Sequence, residues 1–485
     1  MPRCFPRRPA CLFAAVALAA AFFPAPLSAS EGGALALDGA GLSLAWAVPF
    51  AGMLMSIALF PLFAPSFWER NYGKASAAWA FAFLIPSFLI LGPGVTMYSA
   101  LHTIVGEYVP FIIVLLALFT IAGGIRVTGA LRGTPAVNLG ILACGTVLAS
   151  LMGTTGAAML LIRPLLRAIS SRRHKVHSVV FFIFLVANAG GCLTPLGDPP
   201  LFLGFLKGVD FFWTLRHLWP QTLFLTASLL ALHFVIDLAL WRREKAAGAP
   251  SGQAGSAAGA EKPGLQGKRN FLLLAGVVGL VLYSGSAGGG EIVFWEDVGY
   301  RHANLARDLG LLALAAVSLL ITPKESRRGN HFTWAPILEV AKLFAGIFIT
   351  MIPAIAILRA GTGGALGSLV SLVTAPDGSP VNAAYFWLTG ALSSFLDNAP
   401  TYLVFFNSAG GDAARLMSEF PGTLAAISCG AVFLGANTYI GNAPNFMVRS
   451  IAEERGVKMP SFFGYMAWSV GILVPLFIVM TFVFF

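Results

Sequence analysis

The sequence predicts an all-α, multi-pass membrane protein made of two inverted repeats, each with scaffold helices, a re-entrant hairpin and a broken transmembrane helix. Hydrophobic residues make up 57% and charged residues 11% of the 485 residues, and the mean hydropathy is +0.80, whereas about a quarter of the residues of soluble domains are charged. Apolar stretches of about 20 residues, the length that crosses about 30 Å of hydrocarbon, recur along the chain. A short motif that contains glycine and proline also occurs once in each half, as Gly-Asp-Pro-Pro at 197–200 and as Gly-Asn-Ala-Pro at 441–444.

The first residues have the pattern of a targeting segment. Three arginines within the first eight residues precede an apolar run at 9–23, and the small residues Leu-Ser-Ala follow at 27–29. This order of basic, apolar and small residues is typical of a signal peptide. We therefore predict a signal peptide at 1–29, the alternative being an uncleaved first membrane helix. In both cases residue 30 begins outside the cytoplasm.

Ten apolar stretches beyond this segment are long enough to be membrane helices. They lie near 43–65, 76–98, 107–125, 176–196 and 217–241 in the first half, and near 270–288, 304–322, 333–358, 421–440 and 462–485 in the second. Two shorter apolar segments, at 135–168 and 380–408, each end in a motif that predicts a hairpin.

The basic residues favour one orientation in the membrane. If the stretch at 43–65 runs inward, the Lys and Arg clusters fall in cytoplasmic loops, from Arg70 and Lys74 to Arg455 and Lys458, as the positive-inside rule requires. The net charge of +10 is then explained by basic residues placed in the cytoplasmic loops, where they face anionic lipid. The bilayer is therefore the predicted partner, and nucleic acid is not. We expect the inner (plasma) membrane of a bacterial-type cell.

The same topology divides the chain into segments. After the signal peptide come a first repeat at 43–241, a Gly/Ala-rich linker at 242–269 on the cytoplasmic side, and a second repeat at 270–485. The linker composition is typical of a flexible coil. The first hairpin enters from the cytoplasm and the second from outside, so the two repeats are inverted, as in secondary transporters that work by alternating access.

Two pairs of motifs share one repeat distance. Gly-Asp-Pro-Pro at 197–200 and Gly-Asn-Ala-Pro at 441–444 are 244 positions apart (441 − 197 = 244), and the same distance relates Gly-Thr-Thr-Gly at 153–156 to Asp-Asn-Ala-Pro at 397–400. Proline removes a backbone donor and glycine accepts unusual dihedral angles, so each motif predicts a break in a helix. Such unwound segments hold the binding sites of secondary transporters, because helix termini and free carbonyls become available to ions.

The polar residues of these motifs are the candidate site. An aspartate within an apolar span is costly unless it is solvated, paired or ligating, which makes Asp198 and Asp397 functional candidates. Hydroxyl, amide and carboxylate oxygens suit a hard cation such as Na⁺, but hydroxyl and amide groups can also donate to a carboxylate, so the residues alone leave the sign of the ion open. The candidate ion-binding residues are Thr154, Thr155, Gly156, Asn188, Thr194, Gly197, Asp198, Asp397, Asn398, Thr401, Asn437, Thr438, Gly441 and Asn442. No cofactor and no metal other than the transported cation is predicted.

Other ionisable residues carry weaker signals. Glu107 and Glu339 lie at similar places in the two halves and are candidates for a proton relay or for interfacial groups of the scaffold, Glu339 together with Lys342. His233 and Asp237, four residues apart, form either a pH-sensing pair or, as their place near the inner interface favours, a solvated pair. Three arginines could neutralise an anion, but they lie near predicted helix ends, where snorkelling to the interface is expected: Arg163, Arg359 and Arg449. No HExxH, GxSxG or P-loop motif is present, so no enzyme is predicted.

The paired motifs, together with Phe-Leu-Asp-Asn-Ala-Pro-Thr at 395–401, resemble those of the ion transporter superfamily. Within it the chain is most similar to bacterial NhaD-type sodium:proton antiporters and to citrate transporters of the CitMHS-like kind, over nearly all of its length after the signal-like segment. The second hairpin tip resembles the Asp-Asn tip of the antiporter and arsenite branches and differs from the Ser-Asn-Thr tips of dicarboxylate carriers. The resemblance implies the fold predicted above and a possible homodimer formed through scaffold helices.

These observations predict a secondary active transporter that exchanges Na⁺ or Li⁺ for H⁺ by alternating access. In this hypothesis Asp397 and Asp198 bind cation and proton in turn, while the hairpin tips and the unwound backbone supply neutral oxygens. The alternative is a carrier of citrate or a related carboxylate that is coupled to a cation.

Overall fold

The protein is described by a computed structural model over residues 37–129, 132–247, 264–296 and 298–485; the predicted signal peptide lies outside these ranges. The helices of the first half are α1 (Val48–Phe63), α2 (Pro65–Ile90), α3 (Pro93–Thr103), α4 (Val109–Ala122), α5 (Pro135–Met152), α6 (Thr154–Ala168), α7 (Val176–Leu185), α8 (Pro199–Leu206) and α9 (Trp213–Ala246). A short 3₁₀ turn, Leu44–Ala47, precedes α1, and the π-helical segment Ile104–Tyr108 joins α3 to α4.

The second half is also mainly helical. Its helices are α10 (Arg269–Ser286), α11 (His302–Ile321), α12 (Lys324–Gly329), α13 (Ala335–Arg359), α14 (Gly367–Leu372), α15 (Asn382–Phe395), α16 (Asn398–Ser408), α17 (Ala413–Ser418), α18 (Pro421–Leu434), α19 (Ala443–Glu454) and α20 (Phe462–Phe484). The described strands form two antiparallel pairs, β1 (Arg126–Thr128) with β2 (Gly264–Gln266), and β3 (Glu291–Trp295) with β4 (Val298–Arg301).

Membrane-spanning character is distributed along the whole described chain. Within it, ten helical segments are long and apolar enough to cross a bilayer, and Pro421–Asn437 is a shorter apolar helix. Large apolar side chains such as Phe63, Leu320 and Phe482 are exposed on the outer faces of these helices, as lipid-facing residues are. The prediction of an all-α multi-pass membrane protein is confirmed.

The boundaries of the second and third spans differ from the prediction. The stretch at 76–98 was expected to be one helix, but the chain breaks at Gly92, whose φ is +97°, and Pro93 begins the next helix. The second span is therefore Pro65–Ile90 and the third is Pro93–Ala122. Averaged hydropathy does not detect this break because the residues on both sides of the glycine are apolar.

The first broken helix lies at the centre of the fold. The span Val176–Leu193 is the most enclosed of the ten, and it packs against α5 and α9. In the second half, α15 packs along α18, and α16 contacts α8 of the first half. Helices of the two halves also pack together where α2 meets α13 and where α4 meets α11. This packing brings the motifs of both repeats to one place.

The two ends of the segment between the repeats are described by the structure. Helix α9 continues to Ala246, and Gly264–Gln266 pairs with Arg126–Thr128, so both ends of the predicted linker 242–269 belong to regular elements. Residues 248–263, which carry most of the linker composition, lie outside the described ranges.

Candidate functional site

Each predicted break in a helix is present at its motif. In the first repeat, α7 is followed by the 3₁₀ turn Ala189–Leu193 and then by α8, which begins at Pro199. In the second repeat, α18 is followed by the 3₁₀ turn Gly435–Asn437 and then by α19. Asp198 and Asn442 are the residues immediately before α8 and α19 and have extended backbones. Both side chains therefore lie at the positive ends of half-helices.

The two hairpins are bonded to the broken helices by matched contacts. Thr194 Oγ1 donates to the carbonyl of Ser150 in the first repeat, and Thr438 Oγ1 donates to the carbonyl of Ser394 at 2.5 Å in the second. The serine hydroxyls in turn donate to the broken helices, Ser150 to Gly190 O at 2.5 Å and Ser394 to Leu434 O at 3.0 Å.

Each of these matched residues recurs after the same 244 positions as the motifs. The sequence repeat is thus a repeat of atomic contacts. Ser150 and Ser394 were not predicted as site residues, although the repeat distance relates them too.

Close backbone contact within each break requires glycine. A Cβ atom on Gly197 would lie 2.2 Å from the carbonyl oxygen of Gly191, and one on Gly441 would lie 2.6 Å from the carbonyl oxygens of Gly435 and Ser393. These distances are shorter than a Cβ atom tolerates, so a side chain at either position would move the backbone that carries the site.

We therefore expect Gly441→Ala to disrupt the second break. Overpacking of this kind costs about 1–3 kcal/mol, which should lower the midpoint of thermal unfolding in detergent and greatly reduce transport. Gly471→Ala is the matched control, because Gly471 lies on the exposed face of α20 with open space around it. Equal behaviour of the two variants would contradict the role of this close contact.

Asp198 is the meeting point of all four motifs. Its carboxylate accepts hydrogen bonds from Thr154 Oγ1 at 2.9 Å, from Asn398 Nδ2 at 2.5 Å and from Asn442 Nδ2 at 3.2 Å. Thr154 and Asn398 belong to the two hairpin tips and are themselves related by 244 positions. Asp198 is only 1% exposed, so a buried carboxylate is held by three neutral donors drawn from both repeats.

A chain of asparagine amides extends from this carboxylate. Asn442 Nδ2 also lies 3.2 Å from Asn188 Oδ1, and Asn188 Nδ2 donates to Asn445 Oδ1 at 2.7 Å. Asn445 Nδ2 donates to the carbonyls of Gly435 and Thr438 in the second break, both at 2.9 Å. Asn188 and Asn442 were predicted as site residues and Asn445 was not. It lies one residue after the Gly-Asn-Ala-Pro motif.

Asp397 occupies the tip of the second hairpin. Its carboxylate accepts from the backbone N–H of Ala399 at 3.0 Å and so caps helix α16, while Thr401 Oγ1 donates to the Asp397 carbonyl at 2.9 Å. Asp397 is half-buried, unlike Asp198, and the next residue along the chain, Asn398, donates to the Asp198 carboxylate. Two carboxylates therefore share one site.

The remaining predicted residues contribute unequally. Asn437 donates to Ser394 Oγ at 2.9 Å, and its buried Oδ1 has no hydrogen-bond partner among the described residues. Buried carbonyl oxygens are normally paired, so this atom is a free oxygen beside the second break. Thr155 is half-buried next to Thr154, and Gly156 packs on Ala122 of α4; neither is brought into the hydrogen-bond network around Asp198 in the described ranges.

The weaker candidates lie away from this network. Glu107, in the π-helical segment, forms an ion pair with Lys207 at the end of α8. Glu339 is exposed, and the expected pairing with Lys342 is not formed, because the Lys342 ammonium lies over the ring of Tyr72 at 5.4 Å from its centroid. A proton-relay role for the two glutamates remains a prediction.

In the described ranges, the three arginines near helix ends do not join the hydrogen-bond network around Asp198. Arg359 Nε donates to Asn407 Oδ1 at 2.8 Å, and Arg449 Nε donates to Glu453 at 3.0 Å. Arg163 is half-buried, and its Nη1 has no partner among the described residues. No Lys or Arg side chain is hydrogen-bonded to Asp198 or Asp397 in the described ranges.

The expectation that His233 and Asp237 form a solvated pair is wrong. Both side chains are fully buried, because the loop before α7 folds over this end of α9. Asp237 bonds to Arg172, which comes from that loop, and to His177 at the start of α7. These partners lie 60 or more positions away in the sequence, so local spacing gave no sign of them.

A comparison with family models agrees with this architecture. The model CitMHS_2, described as "Putative citrate transport", matches residues 39–485. No curated protein matches the chain. Since the match covers the broken helices, both hairpins and the scaffold, the chain belongs to this family.

Proposed function

We propose that the protein is a secondary active transporter that exchanges Na⁺ or Li⁺ for protons by alternating access. The observation that supports this most directly is the buried carboxylate of Asp198, held between both repeats by three neutral donors, with the second carboxylate of Asp397 at the adjacent hairpin tip. A carboxylate buried without a cationic partner is costly. A transported cation or a proton is the natural species to neutralise it.

The two carboxylates have different tasks in this mechanism. Asp198 joins the hairpin tips, so loss or gain of its charge alters the contacts of Thr154 and Asn398 together. Asp397 is more accessible and can receive the ion first. Neutral oxygens complete the cation shell, and the unpaired Oδ1 of Asn437 is one candidate. Binding of a cation and binding of a proton are then mutually exclusive, which is the requirement for exchange.

Transport of citrate or a related carboxylate, coupled to a cation, is the second candidate. The description of the family supports it, and so do the N-terminal ends of α8 and α19, which meet at the site and favour an anion. In this version the amides of Asn398 and Asn442 donate to the substrate, and the carboxylates hold the coupling cation. Among the described residues, the hydrogen-bonded partners of both aspartates include no Lys or Arg that would offset a trianion, and this supports cation exchange as the first proposal.

Transport assays in everted vesicles distinguish these functions. Vesicles from an antiporter-deficient bacterial host are energised, and a pH-sensitive dye is followed while Na⁺, Li⁺, K⁺ or citrate is added. We expect Na⁺ and Li⁺ to collapse the pH gradient, and vesicles without the protein to show no response. A response to citrate alone would assign the protein to carboxylate transport and contradict cation–proton exchange.

The proposed function also implies a location and partners for the protein. We place the protein in the inner membrane of a bacterial-type cell, with lipid and a small ion as its partners, and propose a homodimer through the scaffold helices. Membership of a transporter family favours transport over catalysis.

A further inference from the structure

A second polar cluster lies outside the proposed transport site, at the end of α9 that is predicted to face the cytoplasm. It contains His177 from the first turn of α7 and His233 and Asp237 from α9, and we refer to these three residues as the His-Asp cluster. Their exposed fractions are 3%, 0% and 0%. Neither the transport mechanism nor the family description uses these side chains, and complete burial of three such groups calls for a reason.

The His-Asp cluster brings three atoms of the kinds that ligate metal ions close to one another. One ligand atom from each residue lies within 4.8 Å of the other two, and His177 Nε2 is 3.1 Å from Asp237 Oδ1. Zinc binds histidine nitrogen and carboxylate oxygen at about 2.0–2.2 Å in a tetrahedral arrangement, which puts neighbouring ligands about 3.3 Å apart. His233 and Asp237 are four residues apart on one helix, so they present their ligands on the same face.

A fourth polar atom lies beside the histidines. The hydroxyl of Ser178 is 3.2 Å from His177 Nε2 and 3.3 Å from His233 Nε2. The other ring nitrogen of His233, Nδ1, is buried and has no hydrogen-bond partner in the described part of the chain. The hydroxyl lies between the two imidazole nitrogens, where it can complete the shell of an ion or hydrogen-bond a bound water.

The surrounding residues hold the carboxylate in place. Asn138 Nδ2 of α5 donates to Asp237 Oδ2 at 2.8 Å, and Arg172 Nη2 donates to Asp237 Oδ1 at 2.8 Å. Hydrogen bonds of this kind orient ligating carboxylates in metal sites. The aspartate is thus fixed from α5 and from the loop before α7 as well as from its own helix.

The charged side chains around the His-Asp cluster also favour a bound cation. Arg172 pairs with both Asp237 and Glu244, so one buried guanidinium faces two buried carboxylates. With both histidines neutral, the cluster carries an excess negative charge in a buried environment, where unpaired charge is expensive. A divalent cation held by the two imidazoles and Asp237 would offset it.

We propose that His177, His233 and Asp237 bind one divalent transition-metal ion of the zinc class. The ion joins the start of the first broken helix to α9, and through Asn138 to the hairpin helix α5. Helix α5 leads into the hairpin tip at Thr154, and the first broken helix leads to Asp198, so the metal fixes the frame of the transport site without touching the transported ion. This inference does not depend on which ion is transported.

Metal analysis of the purified full-length protein tests the proposal. The protein is stripped with a chelator, reloaded with Zn²⁺ or Co²⁺, desalted and measured by elemental analysis, and the Co²⁺ form is measured by visible absorption. We expect about one metal ion per chain, with Co²⁺ bands typical of tetrahedral nitrogen and oxygen ligation, and a higher unfolding midpoint after Zn²⁺ is added. His177→Gln, His233→Gln and Asp237→Asn should each lose the ion and the bands.

Two further variants keep the outcome clear. His174→Gln is the matched control, since His174 lies in the preceding loop with its side chain exposed, and it should bind metal like the unaltered protein. Asn138→Ala leaves all three ligands in place and should weaken binding about 10- to 100-fold, even if a ligand variant fails to fold. Metal content near zero in the unaltered protein after reloading, or equal metal content in the ligand variants and the His174→Gln control, would overturn the proposal.

Discussion

Replacing Asp198 with asparagine is expected to abolish coupled transport while leaving the protein folded. Asparagine has the same shape, and its Oδ1 can still accept from Thr154 and Asn442, while the amide of Asn398 can rotate to present its oxygen to the new Nδ2. The change therefore removes mainly the charge. Loss of a charged partner from a buried ion costs about 2–5 kcal/mol, so cation affinity should fall at least about 30-fold.

Cation-dependent dissipation of the pH gradient in proteoliposomes measures this effect. The unfolding midpoint and the elution volume of the purified variant show whether the fold is retained. Asp377→Asn is the matched control, because Asp377 is an exposed loop residue, and it should transport normally. An Asp198→Asn variant with unchanged Na⁺ dependence would contradict the assignment of Asp198 as a coupling residue.

The repeat offers a sharper version of the same experiment. Asp198 and Asn442 occupy equivalent positions before α8 and α19, and their side chains are 3.2 Å apart. The double variant Asp198→Asn/Asn442→Asp moves the carboxylate across the pseudo-symmetry axis without removing it from the site. We expect it to recover part of the transport that the single variant loses. Recovery is incomplete because residue 442 also faces the carbonyl of Ala187 and Oδ1 of Asn188.

The repeat distance predicted much of this site. Residues 244 positions apart were expected to occupy equivalent places, and Thr154 and Asn398 do donate to the same carboxylate from opposite hairpins. Such a prediction is possible because a repeated motif carries information about contacts between distant parts of the chain. Composition and apolar length predicted the class of fold for a similar reason, since the bilayer imposes one solution on every apolar segment of about 20 residues.

Other features depend on contacts that no motif encodes. The burial of His233 and Asp237 depends on Arg172 and His177, which a different helix and loop bring to them. Asn445 bridges two breaks, but in sequence it is one more polar residue beside a motif. Local patterns describe one helix at a time, whereas these environments are created by packing between helices.

Replacing Asp397 with asparagine is expected to separate its charge from its structural role. The Asp397 side chain caps α16 by accepting from the Ala399 N–H at 3.0 Å, and asparagine caps helices about as well as aspartate does. Asp397→Asn should therefore keep the unfolding midpoint, whereas Asp397→Ala should lose about 1 kcal/mol of stability through the missing cap. If the carboxylate binds the transported cation or the proton, both variants lose exchange although only the second is destabilised.

The two candidate functions predict different results for this residue. In cation–proton exchange, Asp397→Asn removes a ligand of both transported species, and the dye response to Na⁺ and Li⁺ disappears at every pH. In carboxylate transport, Asp397 serves only the coupling cation, so the variant would still take up labelled citrate, with a changed dependence on Na⁺ or pH. The first repeat has no carboxylate at the equivalent position. The equivalent residue is Gly153, whose φ of +82° disfavours any side chain. Electrogenic exchange retained by a folded Asp397→Asn variant would contradict the exchange mechanism at its most accessible carboxylate.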